Sequence, residues 1–199
     1  MACPMCRTPH HRLGRRDTLT ALAAAPGAIR RALGRASRRR LARPPARREW
    51  SATQVLGHLL DAEVTLAFRI RKLAAEPGAA IVAWDQEKWT DGLRHHRADA
   101  RTLLVGYAAL RAANLEQVRR LSPAQRAAAG RHPEYGRIRV RQMLEHWAEH
   151  DLNHLAQIRA TLRGSRGRRR VSWSSRCGRS RACRRRVAAR RAGNARLLV

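Results

Sequence analysis

No stretch of this 199-residue sequence approaches the ~20 consecutive apolar residues that a bilayer-spanning helix requires. Its first residues also lack the basic-then-apolar pattern and cleavage site of a secretory signal. The expectation is a soluble, cytoplasmic protein with no membrane association. Cysteine is scarce and peripheral. Cys3, Cys6, Cys177 and Cys183 all lie outside the middle of the chain, which excludes a disulfide framework across the core and suits a reducing compartment. There is no internal repeat, and no segment alternates apolar and polar residues as a half-buried strand does.

Charge is present in excess, at a formal +29 with a pI near 12.0. Such a balance ordinarily indicates nucleic acid or an anionic surface, but its distribution argues otherwise. Residues 1–48 hold 13 Arg and a single acid, Asp17, and residues 163–199 hold 14 Arg and no acid. The middle, 49–162, holds 16 basic and 13 acidic residues and carries only +3. The basic character therefore belongs to the flanks and does not define what the middle does.

The chain reads as a flexible leader (1–16), a folded unit (17–163) and a basic tail (164–199) with too few apolar residues to offset the entropy of ordering it. Asp17 or Thr18 can cap a first helix whose apolar face is Leu19, Leu22, Ile29 and Leu33, with a break expected at Pro26-Gly27. The Arg-rich run to Pro44-Pro45 reads as a connector. Ser51 offers the next cap, and Val55, Leu59, Ala62, Leu66, Ile70 and Leu73 recur at helical spacing until Pro77-Gly78. Residues 79–97 lack a period and read as a long crossover. A third helix from about Asp99 carries Leu103, Leu104, Tyr107, Leu110, Leu115, Val118 and Leu121. After a loop at Gly130–Gly136, a fourth carries Val140, Met143, Leu144, Trp147, Leu155, Ile158 and Leu162. Four apolar stripes and no strand predict an all-α fold, a four-helix bundle with a long crossover and a disordered Arg-rich C-terminal tail.

The chemistry concentrates in HWAEHDLNH, where His146, His150 and His154 fall at intervals of four and share one helix face. His150 and His154 continue the apolar stripe and point inward, where an unpaired imidazole is costly. In the second helix His58 sits inward beside Val55, Leu59 and Ala62, a natural third ligand. Three imidazoles from two facing helices leave a coordination position open, as catalytic rather than closed structural sites do. Nitrogen donors suit zinc, nickel, iron or copper. The competing reading is a set of core histidines bonded to carbonyls or carboxylates.

The stretches EWSATQVLGHLLDAE and HWAEHDLNHLAQI, separated by a helix and the HPEYG loop, resemble the two signature helices of the DinB-like superfamily, over about Asp17 to Leu162. The resemblance implies a four-helix bundle whose divalent metal is held by His58, His150 and His154, with His146 beside the metal rather than on it. It also implies a reaction class. The superfamily includes S-transferases that use bacillithiol or mycothiol, and a maleylpyruvate isomerase, so a thiol made acidic by the metal is the expected nucleophile toward a small-molecule electrophile. Glu149, Asp151 and Asn153 are candidates to orient imidazoles or move protons, Asp151 first among them.

Other signals are weaker. Cys3 and Cys6 with His10 or His11 make at most half a zinc site, and Cys177 and Cys183 are spaced more loosely still. His95, His96 and His132 read as surface residues, and Trp84, Trp89 and Trp147 as core rather than pocket lining. Two functions follow. One is a metal-dependent enzyme, foremost a thiol S-transferase; the other is a metal-binding or dimerising scaffold, a homodimer whose basic tail alone touches nucleic acid.

Overall fold

Each of the four stripes folds as a long helix: α1 (Thr18–Leu33), α3 (Ala52–Ala75), α5 (Ala100–Arg119) and α7 (Val140–Arg163). Three short helices, α2 (Arg38–Ala42), α4 (Gln86–Gly92) and α6 (Pro123–Ala127), lie in the connections. This computed structural model describes residues 11–163, so the leader cysteines, Cys177, Cys183 and the basic tail lie outside the described residues. No helix among them is long and apolar enough to cross a membrane.

Local chemistry sets the helix starts. The Asp17 carboxylate accepts the Thr20 N–H at 2.7 Å, and Asp99 accepts those of Arg101 and Thr102. Ser51 and Gln54 form a reciprocal capping box. Each such cap stabilises its helix by about 1 kcal/mol. The expected break at Pro26-Gly27 does not occur, and α1 runs through both residues.

Helix α1 packs on α5 and α7, and α3 packs on the same two partners. Helices α1 and α3 therefore stand on one diagonal of the bundle and α5 and α7 on the other. The connections 34–51 and 120–139 cross the bundle ends, whereas the crossover after α3 joins neighbours. That crossover holds α4 and a 3₁₀ turn at His95–Arg97.

A small hairpin departs from the strandless expectation. The stretch read as a loop forms strands β1 (Ala129–His132) and β2 (Gly136–Arg139), paired antiparallel with Ala129 opposite Arg139 and His132 opposite Gly136. Four-residue strands are too short to show a period. Gly130 is required here, because a Cβ would lie 2.3 Å from Leu73 Cδ2 and 2.4 Å from the Ala79 carbonyl oxygen.

His132 is buried in this hairpin, not on the surface as its loop context suggested. Its ring stacks on Tyr135 with centroids 4.4 Å apart, and its Nδ1 accepts the Glu134 N–H. Burial, then the nearby Arg69 guanidinium, pull its pKa down to about 4. The imidazole is neutral when folded but protonates below about 6.5 once unfolded, so stability falls as pH drops from about 6.5 to about 4. Between pH 7 and pH 5 this one group should cost about 2 kcal/mol. Urea unfolding at the two pH values should show that much less acid sensitivity in His132→Gln than in the native chain.

Candidate metal centre

The interior of the bundle is not uniformly apolar. One cluster gathers Leu22, Leu66, Ile70, Leu73, Leu115, Val118, Ile138, Met143 and Trp147. A second gathers Ile29, Val55, Leu56, Leu59, Leu104, Tyr107, Leu155 and Ile158 at the other end. The start of α3 shares a cluster with the end of α7, so these helices run antiparallel. On α3, α5 and α7 the residues between the two clusters include buried polar groups: His58, Asp61 and Glu63, then Arg111 and Asn114, then Glu149 and Asp151. A polar layer thus crosses the middle of the molecule.

The structure brings His58, His150 and His154 together in this layer, with one nitrogen from each within 4.8 Å of the others. His58 and His150 meet Nε2 to Nε2 at 2.9 Å. The Nδ1 of His154 lies 2.7 Å from Gln157 Oε1. An amide oxygen can only accept, so that nitrogen carries the proton and the Nε2 lone pair is left free. Burial, followed by the neighbouring rings His154, His150 and His95, holds His58 well below the ordinary histidine pKa. Burial and His150 bring His154 down to about 3, against opposing contributions from Gln157 and Asp151. Neutral imidazoles are the form that binds metal.

Trp84 stacks on the His58 ring at 5.5 Å with an interplanar angle of 7°, and Trp50 approaches the same ring at 5.1 Å. Both are half-buried, Trp84 packing against the first apolar cluster, as a core reading of it expects, and Trp50 against the second. Trp147 is core, and Trp89, 39% exposed, sets its ring edge-to-face with Trp84 at 4.9 Å. His146 places its ring 6.2 Å from that of His150, adjacent to the trio but outside it.

Beneath His150 lies a polar network. Its Nδ1 is 3.5 Å from Asp151 Oδ1, while Asp151 Oδ2 accepts from Tyr107 Oη at 2.9 Å and Arg111 Nη1 at 2.6 Å. Arg111 also grips Glu63 through Nε and Nη2, and Asn114 donates to Glu63 at 2.8 Å. Burial alone would raise the Asp151 pKa, but the Arg111 charge and the contact with His150 outweigh it and bring it to about 2. Glu63 is raised, burial there exceeding the pull of Arg111.

Arg111 has a third task that explains how α1 tolerates proline. Pro26 has no N–H to give the Leu22 carbonyl four residues back. Arg111 Nη1 donates to that carbonyl at 2.8 Å. One guanidinium, within 5.0 Å of the ring centres of both Tyr107 and Trp147, thereby ties α1, α3, α5 and α7 to the layer that carries the histidines.

Sequence reasoning missed Arg111, although it lies in register with Leu104, Tyr107, Leu115 and Val118 on the buried face of α5. Leu110, assigned to that face, is 38% exposed. An arginine in line with an apolar stripe is the signal that marks it. Glu149 and Asn153 are otherwise engaged. The Glu149 carboxylate accepts the backbone N–H groups of Arg12 and Leu13, and Asn153 Oδ1 accepts from Arg12 Nε. Leu13 is buried in the first cluster, so packing reaches into the segment read as a leader.

His95 is also buried, contrary to its reading as a surface residue. It bonds Asp61 Oδ2 at 2.7 Å, pinning the crossover to α3. Gly57 makes room, since a Cβ there would stand 2.3 Å from the His95 ring.

The donor set fits one divalent transition metal. Ligands about 2.1 Å from a tetrahedral ion lie about 3.4 Å apart, a spacing that three nitrogens within 4.8 Å reach with small ring movements. His58 Nδ1, His150 Nδ1 and Asp151 Oδ1 are buried without a hydrogen-bond partner. One guanidinium facing two carboxylates also leaves a negative charge for a cation to balance.

A family model described as the DinB superfamily matches residues 21–158. A protein of Oceanobacillus iheyensis provisionally named a metal-dependent hydrolase is 28% identical over 109 residues. That alignment covers 55% of this chain and 63% of the relative, so the chain spans less than two thirds of it. Among solved structures, YfiT from Bacillus subtilis, described as a probable metal-dependent hydrolase with an unusual four-helix bundle topology, superimposes with a TM-score of 0.69 at 22% identity. The superposition covers 73% of this chain and 84% of YfiT and establishes a shared fold.

Proposed function

The chain belongs to the DinB superfamily, and on that premise we propose that it is a metal-dependent enzyme in which His58, His150 and His154 hold one divalent ion and a small thiol attacks a small-molecule electrophile. The observation that carries this reading is the convergence of three imidazole nitrogens from two helices within 4.8 Å. Zinc, nickel and iron all accept such donors. A metal there supplies Lewis acidity and lowers the pKa of a thiol or water beside it.

The residues of the chain do the rest. Gln157 holds His154 in the tautomer that presents Nε2, and the Asp151 carboxylate stands 3.5 Å from His150 Nδ1, on the side of the ring away from His58. Trp50 and Trp84 shield His58 and offer an apolar face to the substrate. In the transfer, a sulfur–carbon bond forms as the bond from carbon to its leaving group breaks, and the thiol proton passes to solvent. No cysteine lies among residues 7–176, so none of the helices that carry the histidines supplies the sulfur, and a free low-molecular-weight thiol takes that part in this reading.

The test is to load the full chain with zinc, nickel or iron and follow a chromogenic electrophile with and without added low-molecular-weight thiols. Thiol-dependent thioether formation that disappears on chelation is the expected result. Metal-dependent ester hydrolysis indifferent to thiol would replace transfer with hydrolysis at the same centre. A metal-loaded chain inert to both substrate classes would leave the scaffold reading, with a homodimer and a basic tail as its working parts.

A further inference from the structure

A cavity of about 540 Å³ opens where the end of α1, helix α2 and the last turn of α7 meet. Its lining includes none of the three histidines. The floor is apolar, with Leu33, Ala36 and Leu162, and the rim carries Arg35, Arg40, Arg159 and Arg163. Among the described residues no carboxylate lines it. Among the described residues none of the four arginines forms an ion pair with an acid.

Part of this charge has a structural use. Arg40 donates to the Leu162 carbonyl near the end of α7, a common device at helix C-termini. Arg35 and Arg159 stand near the C-terminal ends of α1 and α7, where a cation offsets the helix dipole, but neither side chain makes a hydrogen bond or ion pair among the described residues. Four like charges around one concavity repel each other and focus a positive potential into it. Guanidinium forks match phosphate and carboxylate oxygens two at a time. A single carboxylate would leave most of the rim unanswered, whereas a phosphate ester or pyrophosphate offers several oxygens and more than one charge. The volume falls in the ~300–1,000 Å³ range of small-ligand sites, and the apolar floor suits an organic body.

We propose that this cavity is a second binding site, separate from the histidine centre, for a small molecule carrying a multiply charged phosphate group. Its phosphate oxygens pair with Arg35 and Arg159, and its body rests on Leu33 and Leu162. The inference stands whether or not the histidine centre is catalytic.

Phenylglyoxal labelling of the full chain, mapped peptide by peptide, tests it with inorganic pyrophosphate as the probe. Arg101 and Arg119, exposed on α5, are the internal reference. Pyrophosphate should slow labelling of Arg35 and Arg159 at least about fivefold relative to that pair. Equal protection of all exposed arginines, or none, overturns the proposal. Protection by a single-stranded oligonucleotide but not by pyrophosphate also overturns it, in favour of a nucleic-acid backbone. In calorimetry, Arg35→Gln/Arg159→Gln should weaken a one-to-one pyrophosphate event by about tenfold or more, from loss of two charge-assisted contacts. Metal content should not change in that variant, and unaltered pyrophosphate affinity would refute the site.

Discussion

Elemental analysis of the purified full chain should find about one transition metal per molecule, and His150→Ala/His154→Ala should carry none. Two of three nitrogen donors are lost together, and the remaining His58 ring cannot hold an ion alone against water. The loss should also appear in stability. An ion that binds only the folded state adds RT ln(1 + [L]/Kd), about 4 kcal/mol at a thousandfold excess over Kd. Chelation should accordingly lower the melting temperature of the native chain and leave the double variant unmoved. If both forms hold the same metal content after reconstitution, the ion sits elsewhere and the three histidines are core groups. Because α7 is long and well packed on α1 and α3, the variant should retain its helical circular dichroism, which separates loss of metal from loss of fold.

Replacing Arg111 should have the second large effect. Arg111→Met keeps much of the side-chain volume but strips Glu63 and Asp151 of their shared cation and leaves the Leu22 carbonyl without its donor. Breaking a buried ion pair from one side costs roughly 3–5 kcal/mol, because the charge left behind stays buried. Asp151 would then drift from the position in which it faces His150, and loss of such an orienting contact weakens metal binding about 10–100-fold. Two measurements follow, a urea midpoint and a competitive metal titration. Adding Glu63→Gln and Asp151→Asn to Arg111→Met should recover much of the stability, since the network then leaves neither carboxylate charged without its cation, but not the affinity. A variant within about 1 kcal/mol of the native chain, with unchanged metal affinity, would show that the network neither supports the fold nor tunes the centre.

How much of this could be read from the chain depends on which forces act locally. The helices were legible because apolar residues recur every three to four positions and because Asp17, Ser51 and Asp99 cap them through neighbouring amides. The i, i+4 spacing of His150 and His154 made them neighbours before any tertiary contact formed. The uninterrupted α1 was not legible. Pro26 breaks a helix unless something answers the freed carbonyl, and that donor comes from residue 111, eighty-nine positions away. The hairpin at 129–139 escaped notice because its strands are short and the 79–81 segment that extends its edge lies fifty residues earlier.

The sequence by itself determined the all-helical class, the polar and apolar faces of each long helix and the side of α3 and α7 on which the histidines stand. These follow from side-chain period and capping, interactions that reach no further than a turn. Only the tertiary structure decided that α3 lies against α7 rather than α1, that His58 therefore meets His150 at 2.9 Å, and that Arg111 joins Glu63 to Asp151 beneath them. Those pairings depend on which helices become neighbours, and that is settled only when two apolar clusters close around the polar layer.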